Sequence, residues 1–203
     1  MSDPVETHNA IAQAYATAFG EPSAHIGLFV RALHVGASVL DLGCGPGVDA
    51  AYLTQQGFQV HGVDAALKMI ELAQKRAPLA SFESADMRTA DYGKEKYDGI
   101  VASFSLNFLP KRDIEPLWAK LVQALKPSGF LFLCLQSGYA QEIELPEPFD
   151  PKLTLFVNVF SKGEVLSLCD KYSLLIREQK ETAPDGKSGE LDFSKYMALI
   201  QKA

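Results

Sequence analysis

VLDLGCGPGVDAAYL (residues 39–53) places three glycines within five positions, between an apolar run and a segment with helical spacing. Glycines at this density allow a tight turn and a close ligand approach, because any Cβ there would occupy the ligand's space. The run 38–43 is typical of a buried strand, and 48–57 predicts a helix that ends at Gly57. The stretch therefore predicts a strand, a ligand-binding turn and a helix.

The same alternation of strand and helix continues along the chain. Strands are predicted at 58–64, 80–86, 97–105, 129–136, 153–160, 173–181 and 192–202, and helices at 5–20, 23–34, 66–77, 113–126 and 161–172. A polar, proline-rich segment at 137–152 interrupts the pattern, and the turn-rich segment 182–189 predicts that the last two strands form an antiparallel hairpin. Alternating elements imply right-handed βαβ units and a mostly parallel sheet.

Composition and charge narrow the functional class. The chain has 203 residues and a net charge of −6, so we expect no nucleic acid partner, because such a field repels phosphate backbones. The three cysteines are odd in number and lack metal-ligand spacing. The N-terminus does not resemble a signal peptide, and no apolar run is long enough to span a membrane. We therefore expect a cytoplasmic protein with no metal site and no membrane contact.

The residues around the glycine turn decide between possible ligands. The spacing is G-x-G-x-G, and the dinucleotide fingerprint would require a third small residue at the position of Val48. Asp41 precedes the turn at the end of the strand, where a carboxylate would repel a pyrophosphate and attract an ammonium group. The turn therefore favours a partly cationic ligand over a dinucleotide.

Two further acids follow the next two predicted strands. Asp64 lies 19 residues past Gly45 (64 − 45 = 19), where a carboxylate can accept hydrogen bonds from two ribose hydroxyls. Asp86 ends the third strand and points to the same sheet edge, where it could meet the exocyclic amine of adenine. Together with Asp41, these acids describe an adenosine ligand with a positively charged amino end.

These motifs resemble those of the class I S-adenosylmethionine-dependent methyltransferases. The resemblance runs over nearly the whole chain, through VLDLGCGPG, VHGVDAALKMIELAQKRA, ESADM, YDGIVASFSLNFLP and LKPSGFLFL. It implies an α/β fold: a Rossmann-like, doubly wound, seven-stranded, mostly parallel sheet with one antiparallel strand, helices on both faces and an N-terminal helical lid. We expect one domain over 1–203, with the lid at 1–34, a cofactor-binding core at 35–136, a substrate-covering insertion at 137–160 and a C-terminal helix and hairpin at 161–203.

The resemblance also implies S-adenosyl-L-methionine as the cofactor and a set of residues that bind it. The methionine part would contact Asp41, the loop residues Gly43, Cys44, Gly45 and Gly47, and the pair Ser103 and Phe104. The adenosine part would contact Asp64, Ala65, Met69, Asp86 and Met87. Tyr15 matches the second tyrosine of a lid pattern like Y-D-x-I-A-x-x-Y, whereas His8 stands where that pattern has its first tyrosine.

The catalytic residue and the methyl acceptor are not defined by the sequence. A sulfonium methyl is already electrophilic, so in-line transfer chiefly demands alignment, and a base is required only where the acceptor holds its proton. The acids at 137–160 leave a cationic small-molecule substrate open, and we expect a monomer or a homodimer. A cofactor-binding protein without transferase activity remains an alternative, and an NAD-dependent oxidoreductase is a weaker one.

Overall fold

The structure, a computed structural model, describes residues 3–184 and 191–203. Its helices are α1 (Pro4–Ala18), α2 (Ile26–Ala32), α3 (Val48–Gln55), α4 (Leu67–Arg76), α5 (Lys111–Ala124) and α6 (Lys162–Lys171). Its strands are β1 (Ser38–Leu42), β2 (Gln59–Asp64), β3 (Ser81–Ser84), β4 (Tyr97–Ser103), β5 (Leu125–Ser137), β6 (Gln141–Pro146), β7 (Thr154–Val159), β8 (Leu174–Thr182) and β9 (Ser194–Lys202). A short 3₁₀ helix, Leu106–Phe108, follows β4.

Seven strands form the main sheet in the order β3-β2-β1-β4-β5-β9-β8. Strands β1 to β5 pair in parallel, and β9 runs antiparallel to both of its neighbours. The predicted doubly wound α/β sheet with one antiparallel strand is therefore confirmed. The strand order reverses direction between β1 and β4, the position at which open sheets of this kind bind ligands.

Strand register brings the predicted acids to one edge of the sheet. Leu42 of β1 pairs with Val63 of β2, so Asp64 lies one residue further along, and Asp64 itself pairs with Ser84 at the end of β3. The N–H of Ala85, directly after β3, donates a hydrogen bond to the Asp64 carbonyl. The carboxyl ends of β1, β2 and β3 therefore open into the same space.

Each face of the sheet is covered by helices, as the alternation of side chains along β1 requires. Leu40 and Leu42 face a core that includes Leu117 and Trp118 of α5, whereas Val39 faces a core built from α2 and α3. A smaller cluster joins α1 to α4 through Ala12 and Met69. Both faces of the sheet are thus packed against helices, and α1 lies against α4.

The segment 137–152 contains a strand that the sequence does not predict. Within it, β6 pairs antiparallel with β7 to form a separate two-stranded sheet. The β6 sequence, QEIELP, exposes most of its side chains, so it lacks the apolar character by which buried strands are recognised. The strand predicted at 153–160 is confirmed as β7, outside the main sheet, and the predicted loop at 182–189 extends outside the described residues.

Asn107 connects the two sheets. Its side chain is fully buried, and its amide donates to the carbonyls of Gln136 (3.1 Å) and Asn158 (2.7 Å). Its carbonyl oxygen accepts from the Gln136 backbone N–H at 3.0 Å. Three hydrogen bonds from one side chain thus hold the segment after β4 against the end of β5 and against β7.

Replacing Asn107 by alanine removes three hydrogen bonds to buried backbone groups, although the Gln136 carbonyl keeps the bond that it accepts from the Phe160 N–H at 3.1 Å. We expect Asn107→Ala to lower the free energy of unfolding by about 2–4 kcal/mol, since each buried group left unsatisfied costs roughly 1–3 kcal/mol. Asn158→Ala is the matched control, because among the described residues the Asn158 amide donates to the Leu109 carbonyl and its side-chain oxygen has no hydrogen-bond partner. Urea denaturation of both variants measures the difference, and an equal or larger loss in Asn158→Ala would contradict this role.

Candidate functional site

A cavity of about 200 Å³ lies over the carboxyl ends of the strands, at the point where the strand order reverses. Ten of the thirteen residues predicted to bind the cofactor line it: Tyr15, Gly43, Gly45, Asp64, Ala65, Met69, Asp86, Met87, Ser103 and Phe104. The three others, Asp41, Cys44 and Gly47, do not line it. The structure therefore gathers the ten residues from five separate stretches of chain around one space.

The glycines of the turn have different structural requirements. All three, Gly43, Gly45 and Gly47, have φ between 51° and 76°, a region that favours glycine. A Cβ on Gly43 would lie 2.3 Å from the Ser105 Cβ, and one on Gly47 would lie 2.8 Å from the Ala73 backbone. A Cβ on Gly45 would have no protein atom within 4 Å. Gly43 and Gly47 are therefore required for packing, whereas Gly45 borders open space that a ligand can fill.

Asp64 holds the turn in place. Its two carboxylate oxygens accept from the backbone N–H groups of Gly45 (2.9 Å) and Ala66 (2.8 Å). Burial raises the Asp64 pKa, while these two hydrogen bonds and the nearby charge of His8 oppose the rise. The carboxylate lines the cavity and keeps lone pairs for a ligand, because each oxygen can accept more than one hydrogen bond.

Asp41 lies beneath the turn. Its side chain is buried, and its Oδ2 atom has no hydrogen-bond partner among the described residues. Burial raises the Asp41 pKa well above its usual range, and the charges of Asp49 and Asp64 raise it further. A buried carboxyl with one unpartnered oxygen near two other acids is costly without a cation.

Asp49 joins the turn to the chain between α1 and α2. Its carboxylate accepts from the Ser23 backbone N–H at 2.7 Å and from the Ser23 hydroxyl at 2.5 Å. The Ser23 hydroxyl also lies 2.6 Å from that of Ser103, at the end of β4. The predicted lid segment is therefore hydrogen-bonded to both sides of the strand reversal.

Arg88 is a cavity residue that the sequence analysis does not single out. Its guanidinium donates to both carboxylate oxygens of Asp86 and to Asp113 of α5. The hydrogen bond from Arg88 to Asp86 lowers the Asp86 pKa. Asp86 is therefore a fixed carboxylate held in one orientation at the cavity wall. Asp86 and Arg88 are close because they are two residues apart in the sequence, whereas the contact between Arg88 and Asp113 depends on the fold.

Of the four histidines, only His8 lines the cavity. His25 lies at the exposed N-terminus of α2, His34 lies near Asp98 on the surface, and His61 contacts Ser81. The His8 ring packs edge-on against Phe108, with 4.6 Å between ring centroids. Helix α1 contributes both this ring and the Tyr15 ring, which contacts Phe149.

The acids of the 137–160 insertion do not reach the cavity. Glu142 accepts from the Lys111 backbone N–H at the start of α5, and buried Glu147 accepts from the Phe149 and Asp150 backbones within its own loop. None of the four acids there lines the cavity. These contacts of Glu142 and Glu147 are structural, and the substrate wall at 137–160 stays a prediction.

No three histidine, cysteine, aspartate or glutamate side chains among residues 3–184 and 191–203 are grouped so that they could hold a metal ion. No helix in the same ranges is long and apolar enough to cross a membrane.

Comparisons with known proteins agree with this geometry. The family model for a methyltransferase domain matches residues 39–129. An uncharacterized methyltransferase of Synechocystis sp. is 28% identical over 133 residues, which are 64% of this chain and 58% of the relative. A trans-aconitate 2-methyltransferase of Escherichia coli is 38% identical over 105 residues, 51% of this chain and 40% of the relative. The chain thus matches about half the length of these relatives.

The fold has a close counterpart among solved structures. A SAM-dependent methyltransferase from Methanosarcina mazei superposes with a TM-score of 0.76 at 18% identity, covering 86% of this chain and 96% of that one. The family match, the sheet order and the glycine turn at the strand reversal agree. Residues 39–129 thus match a methyltransferase domain, and the chain has the fold of the Methanosarcina mazei structure.

The buried carboxyl group of Asp41 makes a pH-dependent prediction. Because the Asp41 pKa is raised in the folded state, the folded protein binds more protons than the unfolded chain above the ordinary carboxyl pKa. The free energy of unfolding therefore falls as the pH rises from that ordinary pKa toward the raised one. Asp41→Asn removes the ionisation while keeping the shape. We expect it to be about 1–3 kcal/mol more stable than the wild type at pH 8 and equally stable near pH 4.

Asp98→Asn is the matched control with the opposite sign. Burial opposes ionisation of Asp98, but hydrogen bonds from Lys126 and Ser38 outweigh it and lower the Asp98 pKa to about 2. The ionised Asp98 carboxylate therefore stabilises the fold above the usual carboxyl pKa, and this stabilisation disappears as the pH falls toward 2. Asp98→Asn is expected to be less stable than the wild type at pH 8. Urea denaturation at both pH values tests the pair. Destabilisation of Asp41→Asn at pH 8 would contradict the prediction.

Proposed function

We propose that the protein transfers the methyl group of S-adenosyl-L-methionine to a small-molecule acceptor. The observation that carries this proposal is the cavity at the strand reversal, where Gly45 leaves open space and Asp64 lines the wall. The names of similar proteins, which include trans-aconitate 2-methyltransferase, support a small-molecule acceptor.

The residues present fit this cofactor at both ends. An ammonium group close to Asp41 would favour the ionised form of its carboxyl, one oxygen of which has no hydrogen-bond partner among the described residues, and Asp64 has acceptors for ribose hydroxyls. Asp86, fixed by Arg88, would accept from the adenine amine. The proposed contacts at the methionine end are Asp41, Gly43, Cys44, Gly45, Gly47, Ser103 and Phe104, with Tyr15 above. Those at the adenosine end are Asp64, Ala65, Met69, Asp86 and Met87.

The protein's own contribution to the chemistry is positioning. The cofactor supplies an electrophilic methyl group when bound. The turn fixed by Asp64, the lid tied down by Ser23 and the aromatic rings of α1 would orient the two reactants and exclude water. We propose that 1–34 acts as the lid, 35–136 as the cofactor-binding core, 137–160 as the wall of the acceptor site and 161–203 as the end of the sheet.

Location and assembly are also part of the proposal. The three cysteines are buried and unpaired, which supports a reducing, cytoplasmic environment. We propose that the protein works as a monomer or homodimer, without nucleic acid or membrane partners, consistent with its net charge of −6.

The test combines binding with transfer. Isothermal titration should show binding of S-adenosylmethionine and S-adenosylhomocysteine, and none of NAD. Incubation with radiolabelled methyl donor and a small-molecule extract should label a product. Tight NAD binding without either sulfur ligand would support an oxidoreductase instead. Binding of both sulfur ligands without label transfer to any acceptor would favour a cofactor-binding protein without transferase activity.

Gly45→Ala tests the open space in the turn. We expect it to weaken S-adenosylhomocysteine binding at least tenfold, because the added Cβ enters the cavity while meeting no protein atom. Gly93→Ala is the matched control: it has a similar φ of 70°, and its Cβ makes only ordinary contact with Lys96, away from the cavity. Both variants should lose about 1 kcal/mol of stability from backbone strain. Equal affinities in titration calorimetry would show that Gly45 does not border the ligand.

A further inference from the structure

The His8 ring is held in one tautomer. Its Nδ1 atom lies 2.6 Å from the backbone carbonyl oxygen of Pro4, one turn earlier in α1. A carbonyl oxygen only accepts hydrogen bonds, so Nδ1 must carry the proton that is shared with it. In the neutral ring, Nε2 therefore carries the lone pair. This arrangement differs from the tyrosine of the related lid pattern, which has no nitrogen lone pair.

The His8 ring borders the ligand space. His8 is half-buried and lines the cavity, and no described residue makes a hydrogen bond to its Nε2 atom. Phe108 meets the ring at 69° with centroids 4.6 Å apart, and Tyr15 lies 6.3 Å away at 63°. The ring position is fixed by these contacts, and Nε2 is the polar atom that it can offer to a bound molecule.

From this geometry we infer that His8 is the general base of the reaction. The inference rests on the proposed function and makes its substrate class more specific: the acceptor carries an O–H or N–H proton at the atom that is methylated. In the step, that proton moves to Nε2. The freed electron pair forms the bond to the methyl carbon, and the electrons of the breaking carbon–sulfur bond remain on sulfur. The resulting imidazolium then releases its proton to solvent.

The charges around His8 are compatible with this step. Asp64 lines the same cavity, and the charge of His8 opposes the rise in the Asp64 pKa, so an imidazolium formed in this step would have a carboxylate close by. The other titratable or charged groups lining the same cavity are Asp3, Tyr15, Asp86, Arg88 and Arg112. The charge of Arg88 is already paired with Asp86 and Asp113.

The first experiment tests the ring without knowing the acceptor. Nitrogen NMR of histidine-labelled protein should show Nδ1 protonated and Nε2 bare in the neutral ring. Diethyl pyrocarbonate, mapped by mass spectrometry, should modify Nε2 of His8 both alone and with saturating S-adenosylhomocysteine, because the base must face the acceptor when the cofactor site is filled. Exposed His25 is the internal control. A protonated Nε2, or complete protection by S-adenosylhomocysteine, would overturn the inference.

The second experiment measures transfer. His8→Asn keeps an amide donor for the Pro4 carbonyl but has no base. It should lower label transfer into the small-molecule extract by about 10²–10⁴-fold, with affinity for S-adenosylhomocysteine unchanged within threefold. The acid limb of the wild-type pH–rate profile should disappear. His25→Asn should behave as wild type. Transfer by His8→Asn within threefold of wild type would overturn the assignment.

Failure of the proposed function looks different. In that case the wild type would bind neither sulfur ligand, or would bind them and transfer no label, whatever residue stands at position 8. If His8→Asn fails to fold, the tautomer and modification measurements on the wild type still decide the inference.

Discussion

The cavity depends on the hydrogen bonds that pin the glycine turn to the end of β2. The Gly45 N–H donates to the Asp64 carboxylate, and the N–H groups of Gly43 and Cys44 donate to the Val63 carbonyl at 2.7 and 3.0 Å. These bonds direct the turn back over the sheet edge instead of outward. They are possible only because Gly43 lacks the Cβ that would collide with Ser105. The shape of the ligand space thus follows from a backbone path that few other residues could adopt.

This construction places acids where burial makes their charge costly. Asp41, Asp49 and Asp64 all have pKa values raised by burial. Each is partly compensated, Asp41 by the Ala50 backbone, Asp49 by Ser23 and Asp64 by backbone donors. Asp41 keeps one oxygen without any partner among the described residues. A site with this imbalance is better satisfied by a cation than by a phosphate, which is the electrostatic reason for a cofactor with an ammonium group.

The sequence predicted those features that depend on short-range order. The glycine turn and the acids after β1, β2 and β3 could be placed because parallel strands end at one edge, so linear position becomes spatial position. The fold class followed from the same alternation.

Features that depend on long-range contacts could not be predicted. Strand β6 has a polar sequence and exists as a strand by pairing with β7. The bridge from Arg88 to Asp113 spans 25 residues, and the links from Asn107 span 29 and 51. The sequence placed His8 in the lid, but not its tautomer, since that requires the distance to the Pro4 carbonyl. Likewise, it could not show that Glu142 accepts from the Lys111 backbone and Glu147 from its own loop instead of lining the cavity.

The positions of the proposed contacts along the chain explain why the cofactor site is better defined than the acceptor site. The residues proposed for the cofactor lie mostly within 39–129, the range that the methyltransferase family model matches. The lid helix and the β6–β7 hairpin lie outside it, and they contact each other where the Thr7 hydroxyl donates to the Thr154 carbonyl at 3.2 Å. Phe108 sits between them, in contact with His8 and packed against the hairpin cluster. Under the proposed function, an acceptor approaching the methyl group would meet this composite wall, which lies largely outside the range that the family model matches.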